Sequence, residues 1–163
     1  KPDSTFFLWA YRRELAECLL ADQQPEQVFP LLTGSTVETG ELTDANLRGY
    51  DKLESIELFG RTSSALGKTS DAERAYKIGE TLAEQGPKPR AGWAARFQVL
   101  QSELLIKKGD SDAAEKLLQP AFATLLETRG SDHDWTQQAA KALESLRAGR
   151  QATHGGASKL LPN

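Results

Sequence analysis

A gapless internal repeat is the feature that most constrains the fold of this 163-residue chain. The segment that begins at Gly67 aligns with the one that begins at Gly109, and we call the spacing between these two glycines the repeat period. Within the alignment, Ala72-Glu73-Arg74 matches Ala114-Glu115-Lys116, and a weaker third copy begins at Pro25. A period of this length is typical of one supersecondary unit that recurs along the chain and buries its core by stacking.

Each copy has two stripes of apolar residues, spaced three and four apart, with a short polar turn between them. This spacing predicts pairs of amphipathic helices, and strand signals are nearly absent, so we expect an all-α fold. In the middle copy we expect Gly67 to end the first helix and Ser70 with Glu73 to form a capping box for the second. In the last copy Asp112 is the expected cap.

The helix pairs are predicted at about residues 5–32, 44–85 and 90–129, with polar segments over 33–43 and 86–89 between them. Pro30 and Pro120 lie inside predicted helices, and we expect each to shorten or kink its helix.

A last helix is predicted over about 132–148, followed by a loosely ordered tail over 149–163. Its outer face is polar, as the end of a stacked array requires. The residues of that face are Gln137, Gln138, Lys141, Glu144 and Arg147. Residues 1–148 are thus expected to form one helical domain.

Composition narrows the classes of partner. The formal net charge is −3, which repels phosphate backbones, so nucleic acid is not an expected partner. No apolar run approaches the length of about 18 residues that a membrane span needs, so no membrane contact is predicted. The single cysteine, Cys18, lies among leucines and is expected in the core.

Two motifs imitate functional sites. The segment from Gly60 to Thr69 ends like a phosphate-binding loop, but its glycines are too far apart and a helix rather than a strand precedes it. Asp132-His133-Asp134 offers metal-binding side chains, yet adjacent residues at a helix start do not converge on one ion, and we expect capping contacts there. We therefore predict no catalytic residue, no metal site, no cofactor and no enzymatic activity.

The middle copy has an apolar-glycine pair at Phe59-Gly60, a turn glycine at Gly67, small residues at Ala72 and Gly79, and an aromatic ring at Tyr76. This arrangement resembles the tetratricopeptide repeat family, in the long form of about 42 residues found in kinesin light chains and bacterial signalling proteins. The third copy fits if one extra residue is allowed before Gly109. The segment from Gly130 to Thr136 resembles the turn of the same long-repeat subfamily.

The resemblance implies a right-handed α-α superhelix of about three helix pairs plus a C-terminal capping helix, with a concave groove lined by the first helices. The groove positions it implies are Glu54, Glu57, Arg61, Ser64, Gln98 and Ser102, the last two with the one-residue shift. An equal alternative is that these six are solvated polar side chains with no ligand.

The function expected from the resemblance is non-catalytic binding of a protein or peptide by the C-terminal part of a larger signalling or regulatory protein. The chain begins at Lys1 and contains no methionine, which is typical of a fragment. The compartment stays open, with the cytoplasm favoured. The alternative function is structural self-association, in which the apolar N-terminal helix forms a homodimer.

Overall fold

The computed structural model describes residues 4–33, 52–85 and 90–157, and these segments are all-helical, as predicted. Seven α-helices and one 3₁₀ turn make up these residues, with no strand among them. The elements are α1 (Ser4–Ala21), the 3₁₀ turn (Pro25–Gln27), α2 (Val28–Thr33), α3 (Lys52–Ala65), α4 (Thr69–Gln85), α5 (Ala91–Lys107), α6 (Ser111–Arg129) and α7 (Asp134–Ala157).

Contacts divide the chain into two compact units, with the boundary between Pro89 and Arg90. The first unit contains α1 to α4 and the second contains α5 to α7. The boundary follows the polar segment over 86–89 that the sequence places between two helix pairs. The predicted start of the second pair, with Leu47 and Tyr50, lies outside the described residues, and a single stacked domain over 1–148 stays a prediction.

The turns from α3 to α4 and from α5 to α6 have the same geometry, one repeat period apart. Gly67 and Gly109 take φ values of 73° and 84°, a left-handed conformation that glycine adopts without steric cost. The amide following each glycine donates to the carbonyl five residues back, from Lys68 to Ser63 at 2.8 Å and from Asp110 to Leu105 at 3.0 Å. Both turns therefore end the first helix with a Schellman motif, which the sequence predicts from the glycines.

The caps of the second helices differ from prediction. Because the residue after each turn glycine is already the N-cap, α4 begins at Thr69 and Ser70 lies inside its first turn, so the predicted capping box is wrong. In α6 the cap is Asp110, whose Oδ1 accepts from the Ala113 amide at 3.1 Å, and not Asp112. The Schellman turn places the N-cap nearer to the glycine than sequence spacing alone indicates.

In the first unit, α3 and α4 bury apolar side chains against each other and against α2. The buried residues include Leu53, Ile56, Leu58, Phe59, Ala72, Ala75, Tyr76 and Ala83, with Val28 and Leu32 from α2. The rings of Phe29 and Phe59 meet edge to face with centroids 5.5 Å apart. Gly60 lets α3 lie directly on the ring of Tyr76, since a Cβ at Gly60 would be 2.7 Å from Cδ1 and nearer still to Cε1.

In the second unit, α7 covers the α5/α6 pair. The buried cluster consists of Ala95 and Val99 from α5, Ala114, Leu118, Ala121 and Leu125 from α6, and Ala139, Leu143 and Leu146 from α7. The outer face of α7 exposes Gln137, Lys141, Glu144 and Arg147, as predicted, whereas Gln138 is half-buried. An apolar face toward the pair and a polar face toward water suit a helix that ends an array.

Helix α7 ends at Ala157 rather than near residue 148. Gly149 does not stop it, because its φ is not positive and the chain beyond it is tied to α6. Arg150 forms ion pairs with Asp112, at 2.8 Å, and with Glu115. Arg150, in the segment predicted as a loose tail, thus contacts α6, and residues 158–163 of that segment lie outside the described part.

Two prolines and the cysteine also depart from expectation. Pro30 is the third residue of α2, where a helix needs no N–H donor, so it does not interrupt the helix. Pro120 lies on the exposed face of α6, which runs unbroken across it from Ser111 to Arg129. Cys18 is exposed and not in the core, because α1 turns Ala16, on its opposite face, inward. No helix in the described segments combines the length and the apolarity needed to cross a membrane.

We predict that Gly60→Ala lowers the free energy of unfolding by about 1–3 kcal/mol, because the added methyl group overlaps the buried ring of Tyr76. The matched control is Gly149→Ala, since a Cβ there meets nothing within 4 Å and alanine favours an exposed helix by up to about 1 kcal/mol. Urea unfolding of the two variants measures the difference. Equal stability of both would contradict the close contact between α3 and Tyr76.

Candidate functional site

Three of the six predicted groove residues form an ion-pair cluster between α1 and α3. The Arg13 Nη1 donates to Glu54 Oε2 at 3.0 Å, and the Arg61 Nη1 donates to the two carboxylate oxygens of Glu17 at 2.7 and 2.9 Å. Glu57 lies 3.8 Å from Arg61 and is nearly buried. We call this set the α1–α3 ion-pair cluster, and its members are Arg13, Glu14, Glu17, Glu54, Glu57 and Arg61.

The α1–α3 ion-pair cluster has an excess of negative charge, since it contains two arginines and four glutamates. Hydrogen bonds from Arg13 to Glu14 and then to Glu54 raise the pKa of the Arg13 guanidinium above its usual value. Most of the side chains are partly exposed, Glu14 to 68%. Part-exposed ion pairs of this kind stabilise a fold by about 0–1 kcal/mol each, so the cluster orients α1 on α3 more than it stabilises the unit.

The equivalent positions of α5 also make polar side-chain contacts in the second unit. A gapless shift by the repeat period moves Glu54 to Arg96 and Arg61 to Glu103. The Arg96 Nη1 donates to Gln138 Oε1, and Gln138 Nε2 donates to Glu103 Oε1, both at 2.6 Å. We call Arg96, Glu103 and Gln138 the α5–α7 polar cluster. Sequence reasoning missed it, although the gapless period would have found both α5 positions.

The one-residue shift that placed Gln98 and Ser102 in the groove is wrong. The ends of α3 and α5 are one repeat period apart, and so are the starts of α4 and α6, which leaves no extra residue before Gly109. Ser102 is fully buried, and its Oγ donates to the Val99 carbonyl at 2.6 Å. Gln98 and Ser64 are half-buried. Contact of any of the six residues with a partner stays a prediction.

A cluster of rings and cations joins the start of α7 to α5 and α6. Trp93 and Trp135 meet edge to face with centroids 4.7 Å apart. The guanidinium groups of Arg96 and Arg129 lie over the Trp135 ring, at 5.5 and 5.0 Å from its centroid. His133 packs edge-on against the same ring at 5.0 Å, and its Nδ1 accepts from the Trp135 amide at 3.2 Å. We call these five residues the Trp135 cluster.

Neither motif that imitates a functional site has the geometry of one. The residues from Gly60 to Ala65 belong to α3, and the Gly67 turn leads directly into α4, so no phosphate-binding loop forms there. His133 uses its Nδ1 to cap α7, as expected of a capping residue. Among the described residues, no group of three or more His, Cys, Asp and Glu side chains could hold a metal ion.

Comparison of the chain with protein-family models, with curated proteins and with solved structures finds no match. The geometry of the two units is therefore the basis for assigning a role.

We predict that Gln138→Ala lowers the free energy of unfolding by about 1–3 kcal/mol, because it removes the side chain that bridges Arg96 and Glu103 while Arg96 stays buried. Gln137→Ala is the matched control, since the Gln137 side chain is exposed and its one described hydrogen bond, to the Asp132 carbonyl at 3.3 Å, does not reach α5. The loss of such an exposed contact changes the free energy of unfolding by about 0.5 kcal/mol or less. Chemical unfolding checks both variants. A loss in Gln137→Ala as large as in Gln138→Ala would argue against the bridge.

Proposed function

We propose that this chain is a non-catalytic scaffold module that binds a protein or peptide, built from tetratricopeptide-like helix pairs. The observation that supports this best is the repetition of one complete helix-turn-helix geometry, hydrogen bond by hydrogen bond, after one repeat period. Helix-pair repeats of this length form arrays whose surfaces bind other chains. On the same resemblance we propose that the module belongs to a larger signalling or regulatory protein.

The polar contacts of the first helices support a stacked arrangement. In the first unit, Glu54 and Arg61 of α3 contact α1. In the second unit, Arg96 and Glu103 of α5 contact α7. The same two helical positions thus make polar contacts in both units, with the preceding helix α1 in the first unit and with the following helix α7 in the second. Side-by-side packing of first helices is what lines one face of such an array.

The exposed part of the α1–α3 ion-pair cluster is the surface that we propose for the partner. Its excess of carboxylates favours a segment rich in lysine and arginine, and each oxygen of the part-exposed Glu14 and Glu17 carboxylates has two lone pairs, so it can accept a second hydrogen bond. Glu54 and Arg61, which the sequence predicts as groove residues, lie in this surface. The opposite charge of such a partner also raises its association rate at low salt.

We predict that Glu14→Lys weakens binding of a basic peptide about tenfold, because it removes the excess negative charge of the cluster and leaves the pairs between α1 and α3 intact. The peptide comes from a display library selected on the wild-type chain, and its dissociation constant is measured by calorimetry. Glu144→Lys on the exposed face of α7 is the matched control, since it changes the net charge of the chain equally.

Three outcomes decide the binding proposal. Weaker binding by Glu14→Lys with unchanged binding by Glu144→Lys supports the proposed surface. Equal weakening by both variants attributes the effect to net charge and removes the cluster from the site. Failure of the wild type to select any peptide counts against the binding role itself.

Self-association is a second candidate, and one specific observation favours it. Tyr11, Leu15 and Cys18 are exposed on one face of α1, with Tyr11 exposed to 75% and Leu15 to 49%. Their spacing of four and three residues is that of a helix-pairing seam. A second copy of the same helix would remove these side chains from water.

We predict that, if the chain self-associates through α1, its mass in solution rises with concentration and Leu15→Glu abolishes the rise, because a charge in the seam opposes burial. Leu126→Glu is the matched control, since Leu126 is exposed to 45% but belongs to α6. Analytical ultracentrifugation over a hundredfold range of concentration makes the measurement. A wild type that stays monomeric throughout would eliminate this candidate.

A further inference from the structure

His133 caps α7 through a hydrogen bond that only neutral imidazole can form. Its Nδ1 accepts from the Trp135 amide at 3.2 Å, so the ring proton of this form sits on Nε2. Imidazolium has a proton on both nitrogens and accepts from neither. Histidine is also the side chain whose charge changes between about pH 5 and pH 8. The start of α7 is thus held by a group that loses its function as a cap when it gains a proton.

Charged groups from α5, from α6 and from the start of α7 lie around His133. Arg96 of α5 and Arg129 of α6 place their guanidinium groups on the ring against which His133 packs. The N-terminus of α7 adds its own positive dipole end. Asp132 and Asp134 flank His133 in the sequence, and both residues are exposed to water.

Loss of the cap affects more than one hydrogen bond. Trp135, whose amide His133 accepts, also packs its ring on Trp93. Gln138, one turn further along α7, bridges Arg96 and Glu103. The first turn of α7 therefore joins the imidazole to the contact between Trp135 and Trp93, and the Gln138 bridge follows one turn later.

We propose that His133 is a pH-responsive cap: protonation of its imidazole breaks the bond to the Trp135 amide and opens the first turn of α7 away from α5. The device acts within the second unit and would alter the surface next to the α5–α7 polar cluster as the solution becomes acidic. It does not depend on which partner the module binds.

The test measures amide hydrogen exchange of the full chain by NMR at about pH 7.5 and about pH 5.5, with the intrinsic pH dependence of exchange divided out. In the wild type we expect the protection of the Trp135 amide to fall about fivefold at the lower pH, the typical contribution of one cap. In His133→Asn the protection stays constant, because asparagine caps a helix and does not titrate.

Two controls separate a titrating cap from a general loss of stability. The Ala113 amide, which Asp110 caps at the start of α6, should keep its protection at both pH values. The other histidine, His154, is retained in both proteins, so its titration cancels in the comparison. Constant protection of Trp135 in the wild type, or an equal fall in His133→Asn, would overturn the proposal.

Discussion

The left-handed glycine turn between paired helices is the constraint on which the rest of the structure depends. Gly67 and Gly109 each reverse the chain with a positive φ, and the residue that follows is the N-cap of the next helix. A side chain at either position would be strained in that conformation, so the turn specifies glycine. Once the turn is fixed, the register of the two helices is fixed as well, and small residues such as Gly60 and Ala72 fall where the helices approach most closely.

The register set by the turn also decides which polar residues lie between neighbouring first helices. In α3 they are Glu54 and Arg61, and in α5 they are Arg96 and Glu103, with the order of charges reversed. Residues at these positions can bind a partner only by sharing or exchanging contacts that they already make. Because part-exposed ion pairs stabilise the fold by about 0–1 kcal/mol, such an exchange costs little in α1–α3. It costs more at Arg96, which is buried.

Features that recur along the chain are predicted correctly from the sequence, whereas features that belong to one copy are not. Patterns spread over many residues indicate the repeat period, the pairing of helices, the turn glycines and the polar face of α7. The cap at Asp110 was missed because a Schellman turn moves the N-cap toward the glycine, and sequence spacing does not show the turn type. The end of α7 was missed because Arg150 pairs with residues of α6 some 38 positions away. The helix face that exposes Cys18 depends on what α1 packs against, which apolar spacing alone cannot decide.

The first and last helices of the described structure differ in a way that limits how copies could associate. Helix α7 turns glutamine, lysine, glutamate and arginine to water, whereas α1 exposes Tyr11, Leu15 and Cys18. Head-to-tail association would place the apolar stripe of α1 against the polar face of α7. The charged side chains of α7 would then lose water without gaining a partner, and the apolar side chains of α1 would meet no apolar surface. Association of α1 with α1 of a second copy pairs apolar surface with apolar surface and closes after two chains. A dimer, rather than a filament, is therefore the form of self-association that these surfaces favour.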